Sequence, residues 1–81
     1  MITHHMVDFE IIVKEMKIPH IEYFKNRTIR AKGKLLKGKR DGYWKWYRKD
    51  GSKMKTGYFK EGKLAKEWMR YDKNGKLIRK D

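Results

Sequence analysis

The sequence predicts an all-β fold: an antiparallel meander of β-hairpin repeats with period 24, laid out as a single curved sheet. Three observations carry that expectation. First, one pattern is written twice in residues 33–81, where Gly33, Gly38, Lys39 and Trp44 recur 24 positions on as Gly57, Gly62, Lys63 and Trp68. The same offset takes Tyr47 to Tyr71, Lys49 to Lys73, Asp50 to Asn74 and Gly51 to Gly75. Run backwards, it takes Tyr47, Lys49, Asp50 and Gly57 to Tyr23, Lys25, Asn26 and Gly33. A fixed period in this range marks a repeat architecture, in which each unit needs its neighbour to bury its apolar face. Second, turn signals at Asn26-Arg27, Gly38, Asp50-Gly51, Glu61-Gly62 and Asn74-Gly75 fall 11–13 residues apart. Third, the segments between them are rich in Tyr, Trp, Phe, Ile, Met and Leu, the residues that suit a pleated surface.

Taken in order, Val7-Asp-Phe-Glu-Ile-Ile-Val13 alternates with Val7, Phe9, Ile11 and Val13 on one face. Phe9, Ile12, Val13 and Met16 also have helical spacing, but the β-branched run Ile11-Ile12-Val13 and the repeat frame favour a strand. Pro19 lacks a backbone donor and belongs at a bend or a sheet edge. Strands are expected near 21–25, 28–36, 42–48, 53–60, 66–72 and 76–80. Asp-Gly and Asn-Gly suit type I′ turns, which need positive φ at both central residues. Residues 1–20 are expected as an N-terminal strand or cap and residues 21–81 as the repeats, all in a single domain.

Aromatic residues set the expected packing. Trp44 and Trp46 fall on one face of their strand and Tyr43 and Tyr47 on the other. Trp44, Trp68 and Leu35 or Leu36 are the expected core, with Tyr23, Tyr47 and Tyr71 stacked as a ladder beside the turns. Aromatics on both faces imply that the sheet curls, or that one face meets a partner or a second protomer.

Charge separates the chain into unequal parts. Of its 23 Lys and Arg, residues 23–81 hold 21 against six Asp and Glu, a net of +15, whereas residues 1–22 have a net of −2. Such a surface attracts nucleic acid, anionic lipid headgroups or acidic protein. A plain lysine-rich solvent surface is the alternative, and seventeen of the cations are Lys, which lacks Arg's bidentate fork. The chain has no cysteine, so neither a disulfide nor a thiol nucleophile is available. That suits a reducing, cytoplasmic setting. No apolar run approaches the roughly 18 residues of a membrane span, and no secretory leader is visible.

The unit Gly-x-Trp-x-x-Tyr-x-x-Asp/Asn-Gly-x-x-x-x-x-Gly-x-x-x-x-Gly-Lys, clearest over residues 33–76, resembles the MORN-type repeat in its bacterial variant form, found in antitoxin-like proteins. The resemblance implies β-hairpin repeats stacked into an elongated curved sheet. It further implies a non-catalytic module that binds other proteins or, in some relatives, phospholipid. Two departures stand out: Arg27 occupies the first turn's glycine position, and Ala65-Lys66 replaces Asp41-Gly42 before the second tryptophan. The first and last units are therefore expected to be irregular caps.

Motifs with catalytic or ligand-binding overtones are weak. Gly33-x-x-x-x-Gly38-Lys39 and Gly57-x-x-x-x-Gly62-Lys63 look like phosphate-binding loops, but Arg40 and Leu64 replace the Ser or Thr that would hold Mg²⁺. His4, His5 and His20 lack a converging third ligand, so no metal is expected. Ser52, the only serine, follows the Asp50-Gly51 turn and is expected to cap it. No nucleophile or acid–base set stands out, so neither an enzyme nor a cofactor is expected.

The expected function is non-catalytic binding of an acidic macromolecular partner, foremost a protein, in an antitoxin-like or scaffold role. Lys45, Trp46, Arg48, Lys53 and Tyr58 are the candidate contacts. Lys45, Arg48 and Lys53 belong to an expected basic stripe with Lys37, Lys39, Arg40, Lys49, Lys55, Lys60 and Lys63 that is interleaved with Trp46, Tyr43 and Tyr58. Two alternatives are single-stranded nucleic-acid binding by stacking on Trp46 and Tyr58, and peripheral binding to an anionic membrane. Unpaired sheet edges leave room for a homodimer.

Overall fold

A computed structural model describes residues 15–81. The segment 7–13, expected as a strand, and most of the expected N-terminal cap lie outside the described residues, as do His4 and His5. Seven strands form one antiparallel sheet: β1 Lys17–Tyr23, β2 Ile29–Leu36, β3 Lys39–Tyr47, β4 Lys53–Lys60, β5 Lys63–Leu64, β6 Met69–Tyr71 and β7 Leu77–Lys80. The spatial order is β1-β2-β3-β4-β6-β7, with β5 paired to β4, so the sheet is an open meander. No helix among the described residues is long and apolar enough to cross a membrane.

Two kinds of turn alternate along the chain. Lys37-Gly38 and Glu61-Gly62 have positive φ at both residues (54° and 79°, 53° and 84°), the signature of a two-residue type I′ hairpin. The Asp-Gly and Asn-Gly turns are different. In each, only the glycine has positive φ, 89° at Gly51 and 86° at Gly75. Arg48 N–H donates to Ser52 O and Gly51 N–H to Arg48 O, closing a three-residue loop. Phe24–Thr28 and Asp72–Lys76 repeat those bonds. The expectation of type I′ geometry at these sites is therefore corrected. Side-chain acceptors brace each loop: Asp50 Oδ1 accepts from Ser52 N–H and Ser52 Oγ, Asn26 Oδ1 accepts the same pair from Thr28, and in the third loop Asp72 Oδ1 accepts from Asn74 N–H and Lys76 N–H. Ser52 thus closes its turn as expected. After each three-residue loop the register slips, leaving Arg30, Met54 and Ile78, again 24 apart, as unpaired bulge residues.

The repeated Gly–Trp pair also has a structural cause. Between the pairs Lys34↔Asp41 and Lys32↔Lys45, three residues of β3 face the single residue Gly33 of β2. Gly42 adopts φ 76° within that excursion, and the excursion folds the Trp44 indole back over Gly33. Trp68 covers Gly57 in the same way. Trp44 is fully buried and its Nε1–H donates to Lys34 O at 3.0 Å. Ala31, Trp44 and Phe59 form the core, with Leu35, Trp46 and Trp68 packed against it. The phosphate-loop lookalikes thus resolve into a mid-strand glycine and a hairpin turn.

Three further expectations are corrected. The first strand begins at Lys17 and contains Pro19, which is tolerated because β1 is an edge of the described sheet. The expected strand 66–72 is reduced to β6, Met69–Tyr71, as the chain before it folds the Trp68 side chain over Gly57. The ladder of Tyr23, Tyr47 and Tyr71 does not form, since none of these rings pairs with another. Tyr71 instead takes the Lys53 ammonium 4.1 Å from its ring centre.

Candidate binding face

Strand alternation gives the sheet two chemically different faces. On one, His20, Trp44, Trp46, Phe59 and Trp68 form a chain of ring contacts with centroids 5.3–5.9 Å apart. Cations cap this aromatic face. The Arg40 guanidinium lies 5.1 Å from Trp44, 5.4 Å from Trp46 and 5.8 Å from Phe59, and the Lys55 ammonium lies 4.2 Å from Trp68. Burial, together with the neighbouring Arg70, pushes the Lys55 ammonium below its ordinary pKa. Glu22 collects Arg30, His20 and Arg40 beside the same rings. Arg40 and Lys55 are therefore engaged in covering the aromatic core.

The opposite face carries Tyr43 and Tyr58. They sit directly across the β3–β4 ladder from each other, with rings edge to face at 5.8 Å. Tyr43 is 60% exposed and Tyr58 39%. Two shallow clefts meet at Tyr43. The first has Pro19, Ile21 and Gly33 along its floor and Lys32, Lys34 and Lys45 at its sides. Lys17 also lines it but is held by Asp41 at 3.0 Å, a hydrogen bond that raises the Lys17 pKa. The second cleft runs past Tyr58 and Met69 to Lys66, Glu67 and Lys80. The Lys66 ammonium lies 5.3 Å from the Tyr58 ring centre. Among the described residues, Lys32, Lys34, Lys45, Lys66 and Lys80 make no ion pair. Lys32 and Lys45 lie directly opposite one another in the ladder, where like charges repel.

The five residues singled out from the sequence are not brought together. Lys45 and Tyr58 lie on the tyrosine face. Trp46, between Lys45 and Tyr47 in the chain, points to the aromatic face, because neighbouring strand residues point to opposite sides. Arg48 is structural: its guanidinium donates to Ser52 Oγ, Lys53 O and Tyr71 O, tying one hairpin loop to the next hairpin. Lys53 is engaged with Tyr71. The single basic stripe divides for the same reason, Arg40 and Lys55 going to one face and Lys45 to the other. Sequence reasoning missed Lys32, Lys34, Lys66 and Lys80 as neighbours of the tyrosines. Their signal was available in strand parity, since Lys32 and Lys34 share a face and the hairpin register sets them against Lys45 and Asp41. Comparison of the chain with family models, curated proteins and solved structures returns no match.

Proposed function

We propose that this chain is a non-catalytic, MORN-like repeat module that binds an acidic macromolecular partner through the Tyr43–Tyr58 face, in an antitoxin-like or scaffold role. The observation that carries the reading is the exposed tyrosine pair lying between two clefts edged by five lysines that make no ion pair among the described residues. Net charge alone would steer any polyanion toward the chain. The tyrosine face adds a place where a partner can lose water against apolar rings, which is where binding energy concentrates. Acidic protein and single-stranded nucleic acid both fit the charge.

The test compares two triple charge reversals of equal net charge. Lys32, Lys34 and Lys45→Glu alters the tyrosine face, and Lys37, Lys49 and Lys73→Glu alters the hairpin turns. Binding to polyglutamate and to single-stranded DNA is measured by anisotropy at low salt, with far-UV circular dichroism to check folding. The face variant should lose binding while the turn variant keeps most of it. Equal losses would mean that net charge alone does the binding, and the site assignment would fail.

A further inference from the structure

We infer that the polymer this face takes is a single-stranded nucleic acid, crossing the strands with a base stacked on Tyr43 and its backbone held by lysines on either side. The inference rests on the binding reading above and names the partner of that same site. Tyr43 sits near the middle of the sheet with Tyr58 edge-on to it, an arrangement that supports the ring while leaving it largely open to solvent. Packing does not require a tyrosine there. The position 24 residues on holds Glu67, and the position 24 residues before Tyr58 holds Lys34.

The cations are disposed as a polymer would need them. Lys32 and Lys34 lie on β2 to one side of Tyr43, Lys45 follows it on β3, and Lys66 and Lys80 lie toward β6 and β7 on the other side. The path from β2, which carries Lys32 and Lys34, to β7, which carries Lys80, crosses four inter-strand spacings, about 19 Å. All five are lysines, compact point charges suited to phosphates whose sequence is not being read. A bound phosphate would also relieve the repulsion between Lys32 and Lys45. An acidic peptide matches the charge but leaves the Tyr43 ring to whatever side chain its sequence supplies. Every nucleotide brings both a phosphate and a ring, and aromatic stacking is tolerant of which base it is.

The experiment titrates the full chain into a labelled oligothymidylate about 12 nucleotides long and, separately, into a polyglutamate of equal charge, at two salt concentrations. With five phosphates engaged, log affinity for the oligonucleotide should fall against log salt with a slope near −3.5. Tyr43→Ala should weaken oligonucleotide binding about 5- to 100-fold with little change in slope, and Tyr43→Phe should retain it. Lys32, Lys34 and Lys45→Gln should make the slope about 2 shallower. All three tryptophans lie on the opposite face, so tryptophan emission should stay nearly constant through the titration.

Three results would overturn the inference: Tyr43→Ala binding like the parent, strong tryptophan quenching, or tighter binding of polyglutamate than of the oligonucleotide. The last of these would leave the broader binding reading standing with a protein partner. Failure of both probes to bind at low salt would remove the reading as well.

Discussion

Replacing Gly33 by Ala is the sharpest test of how the repeat holds itself together. A Cβ built on Gly33 lies 2.6 Å from Trp44 Cγ and closer still to Cδ2 and Cε2, whereas carbon atoms pack at about 3.5–4.0 Å. The indole must therefore retreat by about 1 Å. Trp44 has little freedom to do so, being fully buried and held by its Nε1–H bond to Lys34 O. Overpacking of this kind costs about 1–3 kcal/mol, and loss of the indole hydrogen bond adds about 1 kcal/mol. Ala in place of Gly recovers roughly 0.4–1 kcal/mol by restricting the unfolded chain. The net expectation is a destabilisation of about 2–3 kcal/mol.

Gly57 supplies the internal control. Its added Cβ meets Trp68 Cζ3 at 2.7 Å and Leu64 Cδ1 at 3.0 Å, but Trp68 is only partly buried and Leu64 is exposed. Both can give way, so Gly57→Ala should cost less than about 1 kcal/mol. Urea unfolding followed by tryptophan fluorescence and circular dichroism measures both variants, and a Trp44→Phe background tests the coupling directly. In that background the penalty of Gly33→Ala should shrink by about 1 kcal/mol or more. Equal costs at the two glycines, or a neutral Gly33→Ala, would refute the claim that the indole's approach dictates the glycine.

Two further outcomes follow from the three-residue loops. Arg27 adopts φ 70° at the position where Gly51 and Gly75 sit in the other loops, so Arg27→Gly should stabilise the chain by about 0.5–1 kcal/mol, seen as a higher urea midpoint at unchanged m. A loss of stability would mean that the Arg27 side chain contributes more than its backbone costs. Asp50 has its carboxyl held below the ordinary value of 3.8 by hydrogen bonds from the Ser52 hydroxyl and backbone N–H. Its stabilising contribution is therefore present above the unfolded-state value and lost as pH falls through the lower folded one. Asp50→Asn should resemble the parent near neutrality, because Asn26 makes the same bonds in its own loop. It should also remove part of the parent's stability loss below about pH 4. A difference between the two melting curves that is constant from neutrality to acid would contradict the assignment.

What was legible in the sequence was the part that repeats. The 24-residue offset located the hairpins and, with strand parity, pointed to Trp44, Trp68 and one of Leu35 or Leu36 as core, of which Leu35 is the one packed there. Turn geometry was less legible. Asp50-Gly51 fits a type I′ turn by composition, but it adopts a three-residue loop that the Asp50 carboxylate braces by accepting from Ser52. Each such loop leads into a bulge that shifts the following register, a non-local consequence that no dipeptide encodes. The candidate contacts divide between the two faces for a simpler reason. Lys45 and Trp46 are sequence neighbours, and a strand sends neighbours to opposite faces. Arg48 was misread because its carbonyl partner on Tyr71 lies 23 residues away and becomes visible only once the hairpins are stacked.

The distribution of repeated and unrepeated residues over the two faces argues that structure and recognition have been separated. Gly33 and Gly57, Trp44 and Trp68, and the residues of the hairpin loops recur because each repeat meets the same steric problem and solves it with the same side chains. Across the tyrosine face that recurrence stops. Lys32, Lys34, Tyr43 and Lys45 correspond, 24 residues on, to Thr56, Tyr58, Glu67 and Met69. A sheet that packs mainly by one face leaves the exposed positions of the other less constrained, although Thr56 on it is buried, so the exposed residues there can vary with little penalty to the stack. What has accumulated on that free face is an exposed aromatic pair at its centre and lysines on both sides. Two of these lysines oppose each other at a direct ladder pair, a placement that works against folding. An arrangement that the fold does not require, and at one pair disfavours, is what the proposed anionic polymer would account for.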